Sequence, residues 1–328
     1  MPIILQMYQR AIYILCIVLL GICGACSSGS NINPQNPSSD TSNSNPSSGP
    51  EGGNLPPPSF PEQLTPTLKE NFTAASTDFT FQQSIPDAFI LYGVSNSSAT
   101  DNKVVQLTLP GHPEYNQNNF INPPGVQIQS SQNFHYGTFR SHFQTSPCSQ
   151  NNEGVIYGIF TYWHDGSDTN GNGIEDNSEI DIEISCDSPQ TLYLTIWTDY
   201  TDNTHFLKVS RFIDLTNGSY TQTQSGEENT WSTHNTGQLT SYPQIATIGE
   251  WLDMGFTWAS NKVEFFIYQN NQRYPLWTYT NPEHIPQHAA PFLFNVWHSP
   301  TLRSNDNPAD YPSGSVSLLV DSFSYYAP

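Results

Sequence analysis

The segment Ser178-Glu179-Ile180-Asp181-Ile182-Glu183-Ile184 tolerates one local conformation. Strand side chains point alternately to opposite faces, so the three isoleucines fall on one face and the three carboxylates on the other. The Ile face belongs in a core. The opposite face stacks three like charges, with no Lys or Arg nearby in sequence to neutralise them. Like charges at that spacing raise one another's pKa, and a purely structural strand gains nothing from the arrangement.

The rest of the chain agrees with an all-β body. Short alternating or apolar segments recur between Gly, Pro, Asn and Asp punctuation: Val104–Leu109, Tyr136–Phe143, Val155–Trp163, Leu192–Trp197, Val263–Tyr268, Phe292–Trp297 and Val316–Val320. No window of helical length keeps a 3.6-residue apolar period free of Gly or Pro. Many short strands with such turns predict a sandwich or a barrel.

The N-terminal part reads differently. Arg10 precedes the apolar run Ala11–Ile22, which is too short to span a bilayer and fits an export signal over residues 1–26. The run ends in Gly24-Ala25-Cys26, which resembles the lipobox of bacterial lipoproteins, with Cys26 as the lipidated residue. Cys23 stands where that motif usually has Leu. Residues 27–68 are Ser/Asn/Pro/Gly-rich and read as a flexible, extended tether. The expected placement is the bacterial cell envelope, lipid-anchored at the outer membrane or cell surface, or otherwise secreted. Membrane contact is expected only through that anchor. Residues 69–328, about 260 residues, suffice for one domain with a full core. Only Cys148 and Cys186 remain in that body, either as one disulfide or as two buried thiols.

Composition narrows the partner. Nine Lys and Arg against 29 Asp and Glu give a net charge of −20, which excludes gripping a nucleic-acid backbone. Only 12% of residues are charged while 13% are aromatic, a surface suited to a neutral sugar. A monomer is expected.

Paired carboxylates on one face are what a retaining glycosidase requires. One attacks the anomeric carbon, and a second, kept protonated, donates to the leaving oxygen. The alternatives for this stretch are a solvated edge strand or a metal site. Cα atoms four residues apart along a strand are about 13 Å apart, whereas retention wants carboxyls about 5–5.5 Å apart. Only side chains leaning together on a concave sheet close that gap.

Glu179-Ile-Asp181-Ile-Glu183 resembles the catalytic signature of glycoside hydrolase family 16, in the branch with an unbulged Glu-x-Asp-x-Glu strand that holds lichenases and xyloglucan transglycosylases. Tyr136-Gly-Thr-Phe-Arg140, Gly158-Ile-Phe-Thr-Tyr162, Trp251 to Trp258, Phe294-Asn295-Val-Trp297 and Val320-Asp321 resemble further motifs of the family, in the same order. The resemblance covers roughly residues 75–328. It implies a concanavalin A-like jelly roll of two curved antiparallel sheets with a cleft on the concave face. It also implies Glu179 as nucleophile, Asp181 as its assistant, Glu183 as acid/base, and Asn295 and Trp297 as cleft residues. The activity implied is endo-acting, retaining cleavage of a β-1,3-1,4-glucan or related neutral β-glucan, without a catalytic cofactor. A polysaccharide transglycosylase, or a noncatalytic lectin on the same fold, are the alternatives.

The chain departs from lichenases in the residues that read the sugar. Asn177 stands in place of a Trp, Thr195 and Trp197 in place of Asn and Tyr, and Gln127 and Gln129 in place of a Glu-x-Arg pair. No Trp follows Trp297. Tyr162 and Trp163 end the neighbouring strand, and Trp163-His164-Asp165 reads as either a sugar subsite or a plain rim aromatic. Asp168, Asn170, Asn172 and Asp176, with Glu179 at the twelfth position, match a calcium-loop spacing. A polar Gly-rich hairpin loop is the competing reading, and Glu179 cannot readily serve as both ligand and nucleophile. Asp321 matches a position that holds a structural calcium in many members of the family.

Overall fold

The computed structural model describes residues 65–83, 88–111, 125–148, 153–186, 190–202, 204–225, 231–239, 249–298 and 312–328. Cys26, the signal segment and nearly all of the tether lie outside the described residues.

Among the described residues seventeen strands follow in chain order. They are β1 (Leu68–Glu70), β2 (Phe79–Gln83), β3 (Phe89–Ser95), β4 (Lys103–Leu109), β5 (Gly125–Phe134) and β6 (Gly137–Thr145). Next come β7 (Glu153–Trp163), β8 (Asp176–Cys186), β9 (Thr191–Asp202), β10 (His205–Asp214), β11 (Ser219–Ser225) and β12 (Trp231–Gln238). The last are β13 (Trp251–Ala259), β14 (Lys262–Gln269), β15 (Gln272–Tyr279), β16 (Ala290–His298) and β17 (Val316–Tyr326). A 3₁₀ turn, Pro282–His284, precedes β16. Each of the seven segments singled out by alternation lies largely within a strand.

The strands form two antiparallel sheets. One runs β15-β14-β13-β6-β17-β4-β3, with β1 also paired to β17; the other runs β12-β11-β10-β9-β8-β7-β16-β5-β2. This is the all-β, two-sheet jelly roll that the sequence resemblance implies. Turn chemistry closes the hairpins. Asn270 and Asn271 both take positive φ, 52° and 59°, between β14 and β15, as a two-residue hairpin turn demands and Asn tolerates.

The core lies between the sheets. Ile180, Ile182 and Ile184 of β8 are fully buried, each worth about 1.5–3 kcal/mol of burial. Aromatic rings from both sheets meet there: Phe139 of β6 stacks on Phe292 of β16 with centroids 5.6 Å apart, and Phe323 of β17 sits 4.5 Å from Phe292. Burying one face of β8 fixes its register, because a one-residue slip would place Glu179, Asp181 and Glu183 among these rings.

Cys148, just past β6, and Cys186, the last residue of β8, form a disulfide with Cα atoms 5.6 Å apart. It joins the two sheets across 38 residues of sequence. Cys148→Ser is expected to cost about 2–4 kcal/mol, or roughly 5–15 °C in Tm for a domain of this size. Calorimetry checks this, and an unchanged Tm in oxidised protein would remove the bond from the stability account.

Candidate functional site

The site is built on β8 and its two neighbours. Residues directly opposite one another in antiparallel strands share a face. Glu179 lies opposite Tyr162 of β7 and Trp197 of β9, Asp181 opposite Phe160 and Thr195, and Glu183 opposite Gly158 and Tyr193. One strand further, Asn295 of β16 faces Gly158 across the ladder, with Gln127 of β5 beyond it. Gln129 shares that face opposite Leu293, and Trp297 lies two residues along from Asn295. The structure therefore gathers Glu179, Asp181, Glu183, Tyr162, Thr195, Trp197, Asn295, Trp297, Gln127 and Gln129 on one side of one sheet.

Trp163 does not join them. It lies opposite Ser178, on the other parity of the strand. Its ring stacks on His288 at 4.0 Å, and His288 in turn contacts Asp176 at 3.1 Å. The alternation that places Tyr162 over the carboxylates turns Trp163 away from them.

All three carboxylates are buried, with relative exposures of 1%, 3% and 7% for Glu179, Asp181 and Glu183. Burying a charge costs free energy, so every pKa here moves toward the neutral form. Burial pushes Glu179 up to about 8, against a pull from a hydrogen bond donated by Asn177 Nδ2 to Oε2 at 2.9 Å. It carries Asp181 well above the usual carboxylate range, with the negative charges of Glu179 and Glu183 adding to the rise. Asp181 also bonds Glu179 and lowers its pKa. Burial brings Glu183 up to about 7. The Trp297 side chain acts on Glu183 in the opposite direction, yet its indole N–H does not complete a bond of good geometry. Glu179 Oε1, Asp181 Oδ1 and Asn295 Oδ1 are likewise buried without a partner. Orphaned polar atoms carry a large desolvation cost, and their clustering on one face marks a place built for a ligand.

A residue the sequence reading missed completes the site. Lys208 of β10 lies opposite Trp197 and is buried at 2% exposure, with Nζ 4.1 Å above the Trp197 ring and 5.7 Å from the Phe206 ring. Burial drags its pKa down to about 7, against the pull of Asp181, Glu183 and Glu179. The row is thus not without a cation: one arrives from a strand 25 residues downstream of Glu183. The available signal was compositional, since the chain holds only nine Lys and Arg and this one sits in the alternating run Phe206-Leu207-Lys208-Val209-Ser210. Ser210 extends the same face, donating to Thr195 Oγ1 at 3.2 Å.

Gly158 makes room for Asn295. A Cβ at this position would stand 2.3 Å from Asn295 Oδ1, so the absent side chain is what lets the amide lie across from Glu183.

Neither calcium expectation fits the geometry. Asp321 spends Oδ1 on the Thr100 backbone N–H and Oδ2 on the Thr100 hydroxyl and His142 Nδ1. In the 168–176 loop, Asp168 accepts from the backbone N–H groups of Gly171, Asn172 and Gly173. Asn170 and Asn172 aim N–H donors at Asp199, and Asp176 accepts from Thr169. As arranged, the loop is closed on itself and does not offer the six to eight oxygens that calcium takes. Among the described residues no group of three His, Cys, Asp or Glu side chains is placed to hold a metal ion. Glu179 lies inside β8, away from the loop whose spacing it completes.

No family model matches the chain, and no curated protein matches it either. Solved structures do. A Bacillus licheniformis beta-glucanase is 14% identical, covering 81% of this chain and 100% of that one with a TM-score of 0.45. The catalytic domain of an endo-1,3-beta-glucanase (laminarinase) from Thermotoga petrophila is 12% identical over 80% of this chain and 97% of that one, TM-score 0.48. A Bacteroides ovatus mixed-linkage glucan GH16 protein, in complex with a product, is 13% identical over 79% and 99%, TM-score 0.47. At such identity and TM-score the likeness carries no argument about this chain, and both fold and chemistry must be read from its own strands and side chains.

Proposed function

We propose that this chain is an endo-acting, retaining hydrolase of neutral β-glucans. The observation that carries the reading is the buried carboxylate row of β8, with unpartnered oxygens on Glu179 and Asp181. Glu183, held near neutrality, gives its proton to the glycosidic oxygen as the bond to the anomeric carbon breaks. The ionised form of Glu179, favoured by the bond from Asn177 and by the charge of Lys208 against the cost of burial, attacks that carbon and forms a glycosyl ester. Glu183, now a carboxylate, takes a proton from water, whose oxygen displaces Glu179. Asp181 stays neutral and holds the nucleophile in place. Lys208 supplies the positive charge that lets one carboxylate of a buried row remain ionised.

Product analysis on mixed-linkage β-glucan, lichenan, laminarin, xyloglucan and a soluble cellulose tests the reading. Shortened products define the linkage, and products longer than the substrate identify transfer to a sugar in place of water. Binding without cleavage of any of them would replace the hydrolase with a lectin.

The Gly158–Asn295 contact gives a separate expectation. Gly158→Ala should displace the Asn295 amide and lower kcat/KM about tenfold, at a stability cost of about 1–3 kcal/mol for overpacking. If the effect runs through the amide, Gly158→Ala and Asn295→Ala will be strongly non-additive in a double-mutant cycle. Additive losses would show that Gly158 acts elsewhere.

A further inference from the structure

The acid-bearing face is not uniform from one end to the other. At the Glu179 end it is sealed: Trp197, Tyr200 and Phe206 form a small buried cluster of their own, with Lys208 over it. At the Glu183 end it stays open. Glu183 is followed across the ladder by Tyr193 of β9, Phe212 of β10, Thr221 of β11 and Thr236 of β12, each directly opposite the one before. Tyr193 and Phe212 are half-buried, their rings edge to face with centroids 5.1 Å apart. This row runs into an open hollow of about 650 Å³, lined by Phe212, Asp214, Ser219, Thr221, Thr236 and Gln238 among others.

We infer that this hollow is a distal binding site for a neutral sugar chain, on the leaving-group side of the scissile bond. The inference rests on the proposed function and extends it. Glu183 is the proton donor to the leaving oxygen, so the sugar units that depart lie on its side of the row, the open one. The volume lies within the range of small-ligand sites. The lining is rich in hydroxyls with two aromatic residues, Phe212 and Tyr220, the combination that hydrogen-bonds sugar hydroxyls and packs against an apolar pyranose face. Among the described residues lining it none is basic, and the Asp214 carboxylate is occupied by Thr216 and Asn217. An anionic chain would therefore meet only repulsion. Neighbouring strands are about 4.8 Å apart. The centre of the hollow, at β11, is three strands from β8, or about 14 Å from the bond being cut. Only an oligosaccharide several units long on the leaving side can bridge that distance.

The test uses the full chain carrying Glu179→Gln, so that ligands survive, titrated with mixed-linkage, β-1,3 and β-1,4 gluco-oligosaccharides of increasing length. Affinity is expected to rise about tenfold at the length that first reaches the hollow. Thr221→Trp, a favourable strand residue that fills the space, should erase that step while leaving binding of the shorter oligosaccharides unchanged. Phe212→Ala should reduce it. A smooth length dependence in every series, or a step that survives Thr221→Trp, overturns the inference. Whether Glu179-intact protein cleaves the same oligosaccharides is scored separately. Loss of the hydrolase reading and loss of the distal site are therefore different results.

Discussion

Glu179→Gln is expected to abolish cleavage, lowering kcat by about 10⁴-fold, while making the folded protein more stable at pH 8. The amide matches the carboxylate in shape and keeps the contact with Asn177, but it cannot form a glycosyl ester. The stability change has a definite sign. Glu179 has a folded pKa raised to about 8 by burial, above its value in the unfolded chain. Its contribution is fully present below the unfolded pKa and is lost as pH rises through about 8. Gln never ionises, so the variant escapes that loss. Calorimetry should show similar Tm values for the two proteins at pH 4. At pH 8 the variant should melt higher by about 5 °C. Equal Tm values at both pH values would mean that Glu179 is not held in a desolvated site, and retained cleavage would remove it from the chemistry.

Lys208→Met is expected to lower kcat about 10²-fold and to move the alkaline limb of the pH–rate profile upward by about one unit. The groups facing Lys208 are Glu179, Asp181 and Glu183 of β8, with the rings of Trp197 and Phe206 beneath it. With the ammonium gone, all three carboxylates hold their protons more tightly. Glu183, which burial already raises to about 7, then keeps its proton to higher pH, which moves the limb set by its ionisation upward. Glu179 is less often ionised, which lowers the rate. Lys208→Arg keeps the charge and should restore the limb toward its original position. A rate loss with no movement of the limb would assign Lys208 to packing against Trp197 alone. These two substitutions separate the attacking group from the charge that sustains it.

Much of the site was legible because its main residues obey a period of two. β8 shows both faces in seven residues, and alternation alone assigns Ile180 to the core and Asp181 to the opposite side. Lys208 was not legible, because its meaning depends on which residue of β9 it faces, and register between strands is a property of the sheet. The outer strands β11 and β12 escaped the hydrophobic pattern for a related reason. Ser219–Ser225 and Trp231–Gln238 are largely uncharged and polar along their length, so neither face stands out. The 168–179 spacing left a calcium loop and a polar hairpin both open, because it runs across a boundary: Asp176 begins a strand, and Glu179 answers to the sheet. The pairing of Cys148 with Cys186 stayed open for want of a third coordinate, the closure of one sheet over the other.

The cross-link between the end of β6 and the end of β8 gives the strand of the three carboxylates a history as well as a place. Glu183 lies three residues from Cys186, so the same covalent bond that staples the sheets also anchors the strand that performs the proposed reaction. A copy that folds among reducing thiols has the same packing but a looser hold on that strand, and is the more easily unfolded and degraded. Oxidation therefore acts as a maturation step. The oxidised form resists unfolding and the reduced form is left exposed, so the redox state of its surroundings sets how long a copy of the protein lasts.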